Sequence, residues 1–288
     1  MKIIILITGS LRNPAQLDEI VEGALTLGEE FSQIEKIRLV SSDEQEVVRR
    51  CTLKWSQRHN FEVIWCEPPS IIVKGHRLHQ IRQLDVGLEG LAPSTWILKL
   101  RTDKLVLPIE LLRASINRLI EREALHAGRV GVLEGHLFLP WYINDMAFLS
   151  QEVTLRELIR YDVAAEILAP QIATEQAIWV GMLGSEADSF LKAVSKLPQC
   201  YHFRPEDPTG REVALIKFFE PAMHLIIRYW QALQDRFFSM SPHKLPLAYS
   251  VDFGGVGVTS HYIFTRYGDW GASFTDPIIV SDLLKRFN

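Results

Sequence analysis

The chain has 288 residues, 47% of them hydrophobic and 23% charged, with a formal charge of −4 from 31 Lys and Arg against 35 Asp and Glu. That length can fill one enlarged α/β domain or two domains, and the mild acidity excludes a chain drawn as a whole to nucleic acid. No stretch reaches the roughly 18 consecutive apolar residues of a spanning helix, and residues 2–8 are too short an apolar run for a signal peptide.

Cys51, Cys66 and Cys200 lie far apart and lack the spacing of a zinc site or redox pair, so they read as reduced thiols of a cytoplasmic protein. Residues 2–8, KIIILIT, are β-branched and apolar on both faces and close on Gly9-Ser10, the pattern of a central buried strand. After Asn13-Pro14, apolar residues recur at helical spacing up to residue 31 (Leu17, Ile20, Val21, Ala24, Leu25, Leu27). A second strand over 36–40 ends in Ser41-Ser42-Asp43, a helix follows over 46–57, and a third strand over 61–65 is stopped by Pro68-Pro69. This βαβαβ rhythm predicts a parallel sheet with right-handed crossovers.

A helix over 76–91, a strand over 96–100 and an amphipathic helix over 108–123 continue the series. Residues 130–133 and 136–139 then read as a hairpin or two short strands, and 143–149 as one more strand. Strands arriving without long helices between them predict a mixed sheet with an antiparallel edge. Beyond Ser150 the pattern turns helical (153–167, 175–183, 212–238) around a loop at 201–211, and the glycine- and aromatic-rich tail fits no single element.

No Walker loop is present, no G-x-G-x-x-G follows the first strand, and the nine histidines do not gather at ligand spacing. The most informative feature is the strand over 96–100 that runs into Arg101-Thr102-Asp103. Open α/β sheets take their ligands outside the carboxyl ends of the strands, which is where Asp103 falls. A carboxylate there can hold a diphosphate through Mg2+ or Mn2+, or fix ribose hydroxyls, while Lys99, Arg101 or Lys104 neutralises phosphate. It can equally pair with Arg101 or Lys104, or cap the next turn.

Asp145 sits beside Asn144 inside the apolar run 141–148, and a carboxylate in that setting needs hydrogen-bond partners or a ligand to act on. Glu175 follows Thr174, a helix N-cap residue, so its carboxylate either favours the positive helix end or serves as a general base.

In their order and spacing these pieces resemble the WavE-type lipopolysaccharide synthesis proteins, which look like glycosyltransferases of the GT-A fold. The resemblance spans most of the first 185 residues. It is carried by Ile7-Thr8-Gly9-Ser10, Leu39-Val40-Ser41-Ser42, Gln80 with Gly87-Leu88, the run from Ile97 to Asp103, Ile143-Asn144-Asp145, and Thr174-Glu175-Gln176. It implies a GT-A-like α/β domain over residues 1–185, a Rossmann-like, mostly parallel mixed sheet flanked by helices; the mainly helical C-terminal extension over 186–288 does not share in the resemblance and is read from its own pattern.

The implied activity is transfer of a sugar from a nucleotide-sugar donor to a lipopolysaccharide or other surface polysaccharide, as a free or lipid-linked glycan. A non-catalytic nucleotide- or glycan-binding subunit is the alternative. The expected location is the cytoplasm, or peripherally the inner membrane, because segment 218–230, outside the resemblance, has the apolar stripe and flanking Lys217, Arg228 and Arg236 either to meet lipid or to pack into a core. Asp103 would take the last position of an Asp-x-Asp motif that binds a divalent cation, Mg2+ or Mn2+, and the donor diphosphate. Arg101 stands in place of that motif's first aspartate and would meet phosphate directly.

Gly9 and Ser10 would lie beneath the nucleotide with Ser41 close by, and Gln80 near the base or sugar. Asp145 would sit near the acceptor, where it or Glu175 takes the hydroxyl proton. The family's His-Ile-Ser-Asp run is here Tyr142-Ile143-Asn144-Asp145.

Overall fold

The computed structural model describes residues 1–159 apart from 12, 56, 59, 70–76, 103–105, 134–140, 142 and 144, together with 178–179, 228–229, 231–232 and 235–240. The chain divides into two compact units, 1–132 with 145–160, and 133–144 with 161–288.

In the first unit the elements run β1 (Ile3–Thr8), α1 (Pro14–Glu30), β2 (Ile34–Ser41), α2 (Gln45–Trp55), β3 (Phe61–Trp65) and α3 (Arg77–Leu88), then β4 (Trp96–Arg101), α4 (Ile109–His126), β5 (Val130–Val132), β6 (Ala147–Gln151) and α5 (Glu152–Ile159). Its strands lie in the order β3-β2-β1-β4-β6-β5. Pairings among β3, β2, β1 and β4 are parallel, and β6 runs antiparallel to both β4 and β5. The mixed, mostly parallel sheet flanked by helices that the sequence leads one to expect is observed in this unit. The antiparallel strand is not at an edge, however: β6 is enclosed between β4 and β5.

Every residue of β1 is buried, so its unbroken apolar run marks the centre of the sheet. The chain steps from β1 outward to β2 and β3, then crosses back to place β4 on the other side of β1. Right-handed crossovers therefore put α1 and α2 on one face and α3 on the other. The reversal makes β1 and β4 the topological switch point, where a crevice opens at the carboxyl ends of the strands.

Two details fix α3 on its face. A Cβ on Gly87 would lie 2.5 Å from Leu6 Cδ1, so only a glycine lets the helix rest this closely on β1. Arg38 reaches up from β2 and donates from Nη1 to the carbonyls of Gly87 and Glu89, each at 2.8 Å, while its Nε binds Glu62 at 3.0 Å. Those carbonyls, left open by the end of the helix, thereby gain a partner. On the opposite face, the Asn13 side chain accepts from Gln16 N at 3.3 Å and Pro14 opens α1, as the Asn-Pro start predicts.

Other boundaries shift. The strand expected at 143–149 begins only at Ala147, because Ala147 is the last residue opposite β4, where it faces Leu100. Asp145 therefore precedes the strand instead of lying within it. Helix α4 continues past residue 123 to His126 across a non-helical Arg122. The strand expected at 136–139, the helix at 175–183 except 178–179, and the tail glycines 254–257 lie outside the described residues.

The second unit shows an aromatic cluster. Trp141 has its ring 5.6 Å from Tyr229 and 6.3 Å from Phe237, and Trp179 meets Phe237 edge-on at 5.6 Å. These are the separations at which aromatic pairs attract. Trp179 Nε1 also donates to the Ile143 carbonyl at 3.0 Å. Phe237 and Phe238, expected at the end of a helix, form the short strand β7 (Phe237–Ser239). Tyr229, in the segment that would meet lipid or pack inward, is fully buried. Among the described residues no helix is long and apolar enough to cross a membrane.

Candidate functional site

The site is built where β1, β2 and β4 end. Gly9 turns the chain out of β1 at φ +132°, a backbone conformation that side chains rarely adopt. The loop that follows is tied from both sides. Ser41, at the end of β2, donates from its hydroxyl to the Gly9 carbonyl at 2.9 Å. Asp43 accepts on Oδ2 from the Ser10 hydroxyl at 3.1 Å and from the Leu11 amide.

From the other flank, Thr102 N donates to the Thr8 carbonyl at 2.9 Å and Thr102 Oγ1 to the Ser10 carbonyl at 2.6 Å. Loop 9–11 is thus tied at the switch point by Ser41, Asp43 and Thr102. Outer contacts brace it: Trp65 Nε1 donates to the Asp43 carbonyl at 3.1 Å, and Gln83 Nε2 to the Ser42 hydroxyl at 2.7 Å.

Beside the loop lies a charged cluster on the α3 face. Arg101, the last residue of β4, forms an ion pair through Nη1 with Asp145 Oδ2, the two side chains being 9% and 0% exposed. Gln80 in α3 closes the group. With its amide oriented to satisfy both partners, Nε2 donates to Asp145 Oδ2 at 2.7 Å and the carbonyl accepts from Arg101 Nη1 at 2.7 Å and Nη2 at 3.2 Å. Lys99, two residues earlier on the same face of β4, is buried and donates to the Asp145 carbonyl oxygen, its ammonium 5.1 Å from the centre of the Phe148 ring. Arg101 thus pairs with the enclosed Asp145 carboxylate, the arrangement that makes a buried carboxylate tolerable, while Lys99 is held by the backbone carbonyl. The other oxygen, Asp145 Oδ1, is buried without a hydrogen-bond partner.

Of the residues singled out in the sequence, Gly9, Ser10 and Ser41 come together in the tied loop, and Gln80, Arg101 and Asp145 in the charged cluster. Asp103 and Glu175 lie outside the described residues. The geometry assigns Ser41 to the loop itself, since its hydroxyl is taken by Gly9. Arg101 meets a carboxylate, and Lys99 is enclosed under Asp145, so neither cation stands open to phosphate. Sequence reasoning passed over Asp43 and Thr102. The signal for Asp43 was present, because it follows the end of β2 much as Asp103 follows the end of β4.

A divalent cation needs a set of acidic or imidazole ligands, and among the described residues no group of three or more His, Cys, Asp or Glu is placed to hold one. Asp43 and Asp145 are committed to other partners. The described residues therefore do not make a metal site, and Asp103 remains a candidate ligand outside them.

No protein-family model matches this chain, and no curated protein matches it. Solved structures similar to it include the galactosyltransferase LgtC in complex with donor and acceptor sugar analogs, at 15% identity over 62% of this chain and 70% of that one, with a TM-score of 0.42. Another is residues 1–349 of S. aureus TarS, at 11% identity over 82% and 80% of the two chains, TM-score 0.42. A third is the mannosyltransferase PcManGT from Pyrobaculum calidifontis with GDP-Man and Mn2+, at 10% identity over 98% and 86%, TM-score 0.41. A 4-diphosphocytidyl-2C-methyl-D-erythritol synthase is similar as well, at 17% identity over 62% and 83%, TM-score 0.37. At such identities and scores no activity and no residue role passes from them to this chain.

Proposed function

We propose that the protein is a glycosyltransferase that moves a sugar from a nucleotide-sugar donor to a glycan or lipid-linked glycan acceptor of a surface polysaccharide such as lipopolysaccharide. The observation that carries this reading is loop 9–11, tied by Ser41, Asp43 and Thr102 at the switch point of an open sheet. A backbone already fixed at the carboxyl ends of β1 and β4 receives a nucleotide without paying for its own ordering. In this reading Gly9 and Ser10 lie under the nucleotide, and the donor diphosphate is assigned to Asp103, the residue after Thr102 in sequence. Asp103 would supply the ligand for a divalent cation, whose chemistry would be to neutralise the leaving diphosphate.

In an inverting transfer the acceptor hydroxyl oxygen attacks C1 of the sugar, the bond from C1 to the diphosphate oxygen breaks, the nucleoside diphosphate leaves, and a carboxylate takes the hydroxyl proton. We assign Asp145 to anchoring Arg101 and Gln80, because both already engage its Oδ2. Glu175 is then the base.

The test is release of nucleotide from a panel of UDP-, GDP- and CMP-sugars. Wild type is expected to hydrolyse one donor slowly. Asp103→Ala should abolish that turnover with the fold intact, and Glu175→Gln should lower it by about 10^2- to 10^4-fold, the usual worth of a general base. Undiminished turnover in Asp103→Ala overturns the reading. One feature favours the second reading, a non-catalytic nucleotide- or glycan-binding subunit: the Arg101–Asp145 pair takes two candidate catalytic charges out of play. Calorimetry that finds nucleotide binding without turnover of any donor supports that alternative.

A further inference from the structure

Trp65 closes β3 at the carboxyl edge of the sheet, opposite Ser41, whose hydroxyl holds Gly9. Its side chain is 39% exposed, whereas Trp55, Trp96, Trp141 and Trp179 are buried. A lone exposed apolar residue is ordinary. This one is fixed in place, because its Nε1 donates to the Asp43 carbonyl at 3.1 Å and the next amide, Cys66 N, donates to the Ser41 carbonyl at 2.9 Å. Asp43 is also the residue whose carboxylate holds Ser10 and Leu11, so the indole and loop 9–11 share one anchor.

With its single donor spent on the backbone, the indole has only its ring to offer a ligand. Among the described residues no aromatic ring or cation packs against that ring. Neighbouring strands lie about 4.8 Å apart, so the end of β3 is about 10 Å from the end of β1, with β2 between them. A ribose and its phosphates bridge such a gap when the phosphates lie over loop 9–11. The base then arrives at β3, and every base has a π face that an aromatic side chain can hold.

We propose that Trp65 is the platform on which the base of the donor nucleotide stacks. The assignment rests on the placement of the nucleotide over loop 9–11 in the sugar-transfer reading. Stacking is tolerant of base identity, so every nucleotide the protein accepts should depend on Trp65 alike.

The test is calorimetric binding of UDP, CDP and GDP to the full chain. Trp65→Leu removes the platform, and should weaken each nucleotide that binds wild type by about 5- to 150-fold, the worth of one base stacked on an aromatic ring. Trp65→Phe keeps an aromatic face and loses the N–H, so it should retain most of the affinity. A role limited to bracing Asp43 would be lost equally in both variants. Tryptophan fluorescence gives a second readout that needs only the milder change: nucleotide should quench the wild type, and the quench should vanish in Trp65→Phe while binding persists.

Unchanged affinity in Trp65→Leu, equal losses in the two variants, or a full quench in Trp65→Phe overturns the proposal, even where donors are turned over. Nucleotide binding that depends on Trp65 without turnover of any donor upholds it and overturns the sugar-transfer reading instead. Absence of binding by any of the three nucleotides overturns both.

Discussion

Arg101→Ala would leave the Asp145 carboxylate fully enclosed with its cation gone, and is expected to cost about 3–5 kcal/mol of stability. Asp145→Asn combined with Arg101→Ala should cost less than the sum of the single changes, because neither charge is then stranded. Chemical denaturation of the four proteins in this cycle checks both statements. At the same scale, Gly87→Ala drives a methyl into Leu6 and should destabilise by about 1–3 kcal/mol, read from the denaturation midpoint.

The triplet Arg101-Thr102-Asp103 was legible as the end of a strand, because an apolar run followed by charge needs only local reading. The partner of Arg101 was not. Asp145 lies 44 residues away, and the pair exists only because β6 folds back beside β4. Thr102 was equally opaque, since a hydroxyl that ties two loops looks in sequence like any other polar residue.

Among the elements, α4 carries a pH response. His126 at its end is buried, and its pKa is pushed down to about 4, first by burial and then by the cations Arg118, Arg129 and Arg122. In the unfolded chain it regains an ordinary value near 6.5. Between these values the unfolded state binds the proton and the folded state does not, so this contribution to stability is complete above pH 6.5 and is lost as pH falls toward 4. The denaturation midpoint should drop from pH 7.5 to pH 5, and His126→Gln should flatten that drop.

A different pair links α4 to α1: Arg113 donates to both oxygens of Glu30 at 2.6 and 2.7 Å on an exposed surface. This contact holds the Glu30 pKa below its usual value through the Arg113 hydrogen bond. Being exposed, it should respond to added salt and change stability little when Arg113 becomes Ala, as thermal unfolding at two ionic strengths would show. Helices and strands up to residue 123 were legible from periodicity alone. The late start of β6 was not, because Ile143 and Met146 look apolar enough to belong to a strand, and it is the pairing with Leu100 that decides where the ladder begins.

For the whole molecule, the βαβαβ rhythm predicted the parallel half of the sheet, and short consecutive strands predicted an antiparallel member. Its enclosed position depends on the order in which strands pair, which sequence does not encode locally. The aromatic cluster of the second unit was hidden for the same reason, as Trp141, Trp179, Tyr229 and Phe237 are scattered along the chain. Residues 133–144 leave the first unit after β5 and the chain re-enters it at Asp145, so the backbone passes between the units at three points.

During synthesis β6 can therefore join the sheet as soon as it emerges, while Trp141 waits for aromatic neighbours translated much later. A nascent chain released after residue 160 would hold strands β1 to β6 and the Trp141 indole without the rings of Tyr229 and Phe237 that it packs against.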